Sequence, residues 1–252
     1  MHIQEITVRQ LRLPLVKPYR VSFRTYTEFE PIVIEARGPA GEIGWGEAYI
    51  PPGSTAETAD SAWRFCTEHA AHLLGRPVDE AKRLIDAQVP GAPFAACAML
   101  TALAVLERHP ALQVSARTHV PLLVPIASKT PGEVVAEVES RLQEGYRTFK
   151  VKVGWHVGDD LARVRMVQDA LAGRGVITMD ANRGYDERQG LQFVAGLDPR
   201  GSALFEQPCE ADEWEANAAV ARACPVPLML DESIRTAADI DRAARLENVR
   251  LV

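Results

Sequence analysis

Residues 148–180, TFKVKVGWHVGDDLARVRMVQDALAGRGVITMD, decide the fold. The stretch opens on Thr148–Val153, where Phe149, Val151 and Val153 alternate with Lys150 and Lys152. Alternation of that kind predicts a strand with both lysines on one face and the apolar side chains on the other. A helix is predicted over about 159–172, with Leu161, Val164, Val167 and Leu171 on one side and Gly173 as its stop. Val176–Asp180 is a second apolar run, and it ends on a carboxylate. Strand, helix and strand in so short a span make one βαβ unit.

The same rhythm continues on both sides. Further strands are predicted at Pro121–Ala127, Ala203–Glu206 and Leu228–Asp231, with the first residues of a sixth at Val249–Val252. Helix starts lie between them. Thr130 and Glu133 form a capping box with Pro131 at the first helical position, Asp186 pairs with Gln189, and Thr236 opens a helix expected to turn Ile240 and Ala244 inward. Repeated βα units with short links predict a parallel sheet or a barrel over residues 119–252.

Upstream the pattern differs. Ile3, Ile6, Val8, Leu11 and Leu13 lead to an expected break at Pro14; Ile32–Ile34 and Ile43–Ala48 follow as strands of a meander, with a polar, aromatic loop expected over 18–30. Helical periodicity then runs through Ala62, Phe65, Cys66, His69 and Leu73, through about 79–88, and through an Ala- and Leu-rich stretch near 92–108 that is apolar nearly all round. Strands followed by helices predict an α+β domain over residues 1–118.

Bulk properties narrow the function classes. The 252 residues carry a net charge of −6, with 47% hydrophobic and 25% charged side chains, and no basic stripe that would suit nucleic acid. No apolar run reaches membrane-spanning length, and the first residues lack the pattern of a signal peptide. Cys66, Cys97, Cys209 and Cys224 form no CxxC motif, so a reduced, cytoplasmic protein is expected.

The chemistry is predicted at the strand ends. Lys152, Asp180, Glu206 and Asp231 follow one another at steps of 28, 26 and 25 residues, each about one βα unit, and Lys150 shares a face with Lys152. Their side chains converge where a parallel barrel keeps its active site. Three carboxylates from neighbouring strands suit a hard divalent cation. A cation beside the lysines is expected to depress their pKa values and favour a neutral amine, which is a general base.

In order, Lys-x-Lys, Asp-x-Asn, Glu-Gln-Pro and Asp-Glu-Ser resemble the muconate-lactonizing (mandelate racemase/muconate cycloisomerase) subgroup of the enolase superfamily, and Gly-Trp-Gly-Glu-Ala at 44–48 is similar to that family's capping-domain strand. The resemblance implies an α/β fold: an α+β capping domain, then a (β/α) TIM-type barrel of which about five βα units are present. It implies Mg²⁺, with Mn²⁺ as an alternative, on Asp180, Glu206 and Asp231, Lys152 as catalytic base, Lys150 assisting it, and Asn182 and Glu232 behind the ligands. Ser22, Arg24, Tyr26 and Tyr49 become candidate substrate-binding residues. The implied reaction is abstraction of the α-proton of a small-molecule carboxylate through an enediolate, as in a cycloisomerase, racemase, epimerase or syn-dehydratase; a homo-oligomer is implied as well.

Two departures stand out. Leu106-Glu-Arg-His-Pro-Ala replaces a family segment that carries an aspartate and a Gly-Lys pair. A full barrel needs eight strands, and the family's second lysine belongs on the sixth, so a fragment or truncated chain is expected. The alternatives are a Schiff-base lyase of aldolase type using Lys150 or Lys152, and a non-catalytic relic.

Overall fold

The computed structural model describes residues 1–20, 24–52 and 55–252, and the chain divides into two compact units. Residues 1–19 with 25–118 form the first, and residues 20–24 with 119–252 the second.

In the first unit, strands β1 (Glu5–Gln10), β2 (Leu13–Arg20), β3 (Thr25–Phe29), β4 (Ile32–Arg37) and β5 (Ile43–Ala48) precede helices α1 (Ala59–Leu73), α2 (Val78–Asp86) and α3 (Pro93–Leu106). An antiparallel sheet of order β1-β4-β5 lies against the helices, with Ile34 opposite Gly46 and Ala36 opposite Gly44. The two glycines are there for a packing reason. A Cβ on Gly46 would fall 1.9 Å from the Ala98 carbonyl oxygen, and one on Gly44 2.0 Å from that of Ala102. Helix α3 therefore rests directly on bare backbone, through its own alanines. Glu57 is 6% exposed and accepts the free N–H groups of Phe94 and Ala95 at the start of that helix.

Two expectations for this unit need correction. Pro14 does not break the chain, and much of 18–30 is not loop: β2 runs through both Pro14 and Pro18 and pairs with β3 in a two-stranded sheet. Each strand of such a sheet is an edge, so a residue without an N–H is tolerated where the ladder has no partner to bond.

The second unit carries β6 (Leu123–Pro125), α4 (Pro131–Gln143), β7 (Thr148–Lys152), α5 (Val157–Leu171), β8 (Val176–Asp180), α6 (Glu187–Gly196), β9 (Ser202–Glu206), α7 (Trp214–Ala223), β10 (Leu228–Met229), α8 (Ala237–Ala243) and β11 (Val249–Leu251). The six strands form one parallel sheet in sequential order, as a (β/α) barrel is wound. Phe149, Val151, Ile177, Met179, Phe205 and Leu228 are fully buried in its core. The alternate side chains of the same strands, among them Lys150, Lys152 and Asp180, occupy the other face, and the register sets Lys152 opposite Asp180 and Asp180 opposite Glu206.

Here too the sequence reading is adjusted. Strand β6 is shorter than Pro121–Ala127, and β10 stops two residues before Asp231. In α8 the buried residue is Ala243, while Ile240 is 46% exposed. That helix has barely two turns, so its inward stripe is reduced to one small side chain.

Candidate active site

The lysine strand and the carboxylate strands meet at their C-terminal ends, and the contacts are direct. Lys150 Nζ lies 2.7 Å from Asp180 Oδ2 and 2.7 Å from Glu206 Oε2. Lys152 Nζ donates to the same Asp180 Oδ2 and to Asn182 Oδ1, each at 2.6 Å. Asp180 is 1% exposed and Glu206 6%. Burying charge at this depth is costly unless opposite charges and hydrogen bonds compensate it, and the two ammonium groups supply both.

The electrostatics follow from that arrangement. Burial works against ionised Asp180, but Lys152 and Lys150 prevail and hold its carboxyl below the usual range. Glu206 is pushed up, first by burial and then by the Asp180 and Asp231 charges, with Lys150 only partly offsetting them. Glu232 is pushed up by burial and by Asp231. Burial also disfavours the Lys150 ammonium, yet Asp180 and Glu206 outweigh it and raise its pKa.

The expected site residues divide into three sets. Lys150 contacts both Asp180 and Glu206, and Lys152 contacts Asp180. Asn182 and Glu232 join them, since Asn182 Nδ2 donates to Glu232 Oε1 at 3.3 Å. Asp231 is exposed just beyond β10, fixed through its N–H to Gln207 Oε1 at 2.9 Å. Tyr26 and Tyr49 lie in the first unit and pack with Phe29, the Phe29–Tyr49 rings 4.8 Å and the Tyr26–Tyr49 rings 6.1 Å apart. Arg24 is exposed, and Ser22 lies outside the described residues.

Among the described residues, no three His, Cys, Asp or Glu side chains are grouped as a bound metal groups them. The donor chemistry nevertheless fits a hard cation: neighbouring carboxylates repel one another, and buried Glu232 Oε2 has no hydrogen-bond partner. Asp180 and Glu206, which the Lys150 ammonium joins here, are the residues that would hold such an ion, with Asp231.

Three residues escaped the sequence reading. Gln207 is fully buried with φ +37°, and its amide accepts from Asp231 N and Ser233 N while donating to Cys209 O and Ser233 Oγ. It sets the direction in which the chain leaves β10. Asp160 and Tyr185 bond to each other beneath the loop that follows Lys152. Gln207 lies within the quoted Glu-Gln-Pro stretch and Asp160 in the first turn after the lysine strand; position was the only signal available.

Parallel βα units with lysines and carboxylates gathered at their strand ends define an enzyme of the barrel type. Residues 133–252 match the family described as Enolase C-terminal domain-like. The chain is 31% identical to an L-Lys-D/L-Arg epimerase of Methylococcus capsulatus, over 95% of its own length and 70% of the epimerase. It is 32% identical to an N-succinylamino acid racemase of an Amycolatopsis species, over 100% of its own length and 71% of the racemase. A mandelate racemase/muconate lactonizing protein from Herpetosiphon aurantiacus superposes with a TM-score of 0.86 at 27% identity, covering 97% of this chain and 71% of that one. The chain belongs to the enolase superfamily, in its mandelate racemase/muconate lactonizing group. No helix among the described residues is long and apolar enough to cross a membrane.

Proposed function

We propose that this protein removes the α-proton of a carboxylate substrate with Mg²⁺ as cofactor, and that the substrate is an amino-acid derivative, a dipeptide or an N-acyl amino acid. The observation that carries the reading is the position of Lys152 Nζ, held between Asp180 Oδ2 and Asn182 Oδ1 at the end of the lysine strand. The substrate class follows from the epimerase and the racemase, each at least 30% identical.

An α-proton beside a carboxylate is very weakly acidic, because its removal places a second negative charge on the carboxylate oxygens. The metal, when bound by Asp180, Glu206 and Asp231, supplies positive charge against that developing dianion, the enediolate. Lys152 as the free amine takes the proton, and Asn182 Oδ1 orients its nitrogen. Lys150, whose ammonium form Asp180 and Glu206 favour, would stand as a cation beside the substrate carboxylate. Lys152 can return a solvent-exchanged proton to the face it was taken from, which is the exchange read below; inversion would need a second acid on the opposite face.

The reading is tested by α-proton exchange. The protein is incubated in D₂O with Mg²⁺ and a panel of dipeptides and N-acyl amino acids, and the α-proton resonance is followed by NMR. Loss of the signal is expected, with Lys152→Ala slowing it about 10³-fold, the scale of a general base. Exchange that persists in Lys152→Ala, or that ignores EDTA, would sink the mechanism. Trapping of a carbonyl substrate by borohydride would replace it with Schiff-base chemistry.

A further inference from the structure

One carboxylate oxygen ties together the loops that carry Lys152 and Asn182. Asp160, 2% exposed in the first turn of α5, accepts at Oδ2 the N–H groups of Gly154 (3.1 Å), Trp155 (2.9 Å) and His156 (3.0 Å). The Tyr185 hydroxyl donates to the same oxygen at 2.7 Å. Gly154 begins two residues after Lys152, and Tyr185 lies three residues after Asn182. The two loops also touch backbone to backbone. A Cβ on Gly184 would fall 2.2 Å from Gly154 O, and one on Gly154, at φ +100°, 2.4 Å from Ala181 O.

We propose that Asp160 and Tyr185 are positioning residues that fix the placement of Lys152 relative to Asn182. The proposal rests on the reading of Lys152 as the base. Neither residue touches the reacting atoms. Asp160 gathers three successive N–H groups of the lysine loop, and the Tyr185 hydroxyl adds the asparagine loop to the same anchor. The hydroxyl is firmly protonated, its pKa pushed up by burial and by the Asp160 charge, so it serves as a donor throughout the working pH range. Without it the lysine loop keeps its own fold and its backbone contact but loses the side-chain tie to the loop that holds Lys152's second acceptor. A displacement well under 1 Å there is enough to slow proton abstraction without altering how substrate binds.

The test compares Tyr185→Phe with Phe193→Leu. The first removes only the hydroxyl; the second loosens the same aromatic cluster, where the Tyr185 and Phe193 rings lie 5.5 Å apart, and leaves the anchor intact. Tyr185→Phe is expected to lower kcat about 10-fold with KM unchanged, and to raise the primary isotope effect with α-deuterated substrate. Phe193→Leu is expected to lower Tm and leave kcat as it was. Wild-type kcat in Tyr185→Phe, or a loss that merely tracks Tm in both variants, overturns the proposal. If the wild type exchanges no α-proton, the reading of the site has failed, and the anchor is then judged by NMR. A shifted Lys152 ε-ammonium signal and faster amide exchange at 154–156 in Tyr185→Phe support it; unchanged signals overturn it.

Discussion

Lys152 Nζ and Asn182 Oδ1 stand 2.6 Å apart, although the two residues come from successive βα units. Asn182 reaches that position from a left-handed backbone, φ +42°, which asparagine tolerates better than most residues. Its own N–H is fixed by Asp180 Oδ1 at 2.9 Å. The residue that orients the base is thus itself held, through its backbone, by the central carboxylate.

Asn182→Gly isolates that contribution, because glycine accepts the positive φ without strain. The expected result is a fall in kcat of about 10- to 100-fold, the scale found when the partner of a key ligand or base is removed, with KM changed little. Steady-state kinetics and the exchange assay read it directly. An unchanged kcat would show that Asp180 alone positions Lys152.

Glu206 gives a prediction of opposite sign for stability. Its pKa is raised above the ordinary 4.5, so its contribution is fully present below that value and is lost as pH rises through the folded-state pKa. At neutral pH the ionised carboxylate therefore weakens the metal-free fold. Glu206→Gln is expected to raise the Tm of the EDTA-treated protein at pH 7. It is also expected to abolish the stabilisation given by Mg²⁺. Thermal unfolding with EDTA and with MgCl₂ checks both, and a lower Tm in the metal-free variant would mean that the Lys150–Glu206 contact outweighs the repulsion.

Gly46→Ala tests the first unit. Its Cβ would fall 1.9 Å from a helix carbonyl, and backbone on both sides has no rotamer with which to yield. A destabilisation of about 3 kcal/mol is expected, lowering Tm by about 6–12 °C. Gly41→Ala, with φ +88° and no atom within 4 Å, separates crowding from backbone strain.

The parts of this molecule that could be read in advance were those with a period. The alternation of Phe149, Val151 and Val153 with the lysines marked β7 and the face of the site, and the spacing of Asp180 and Glu206 placed them beside those lysines. Capping chemistry was legible as well: Asp186 and Gln189 exchange bonds of 2.7 and 3.0 Å at the start of α6. What stayed hidden depends on contacts without a period. Leu13–Arg20 looks broken by its prolines until its partner is known to be one strand only. Asp160 looks like any acidic residue in a first helical turn, and only the folded chain brings Tyr185 to it. Asp231 was expected on its strand because its neighbours are apolar; the Gln207 amide, which draws its N–H aside, lies 24 residues upstream.

The Lys150 ammonium lies between Asp180 and Glu206, so any cation held by those carboxylates would have to compete with it. On the proposed reading, binding Mg²⁺ would exchange one cation for another rather than fill a void. A monovalent ion would offer the two carboxylates no more charge than the ammonium does, whereas a divalent ion would bring twice as much. Such an exchange would set a threshold for occupancy, because the entering ion would have to outbid an ammonium group already tethered to the chain.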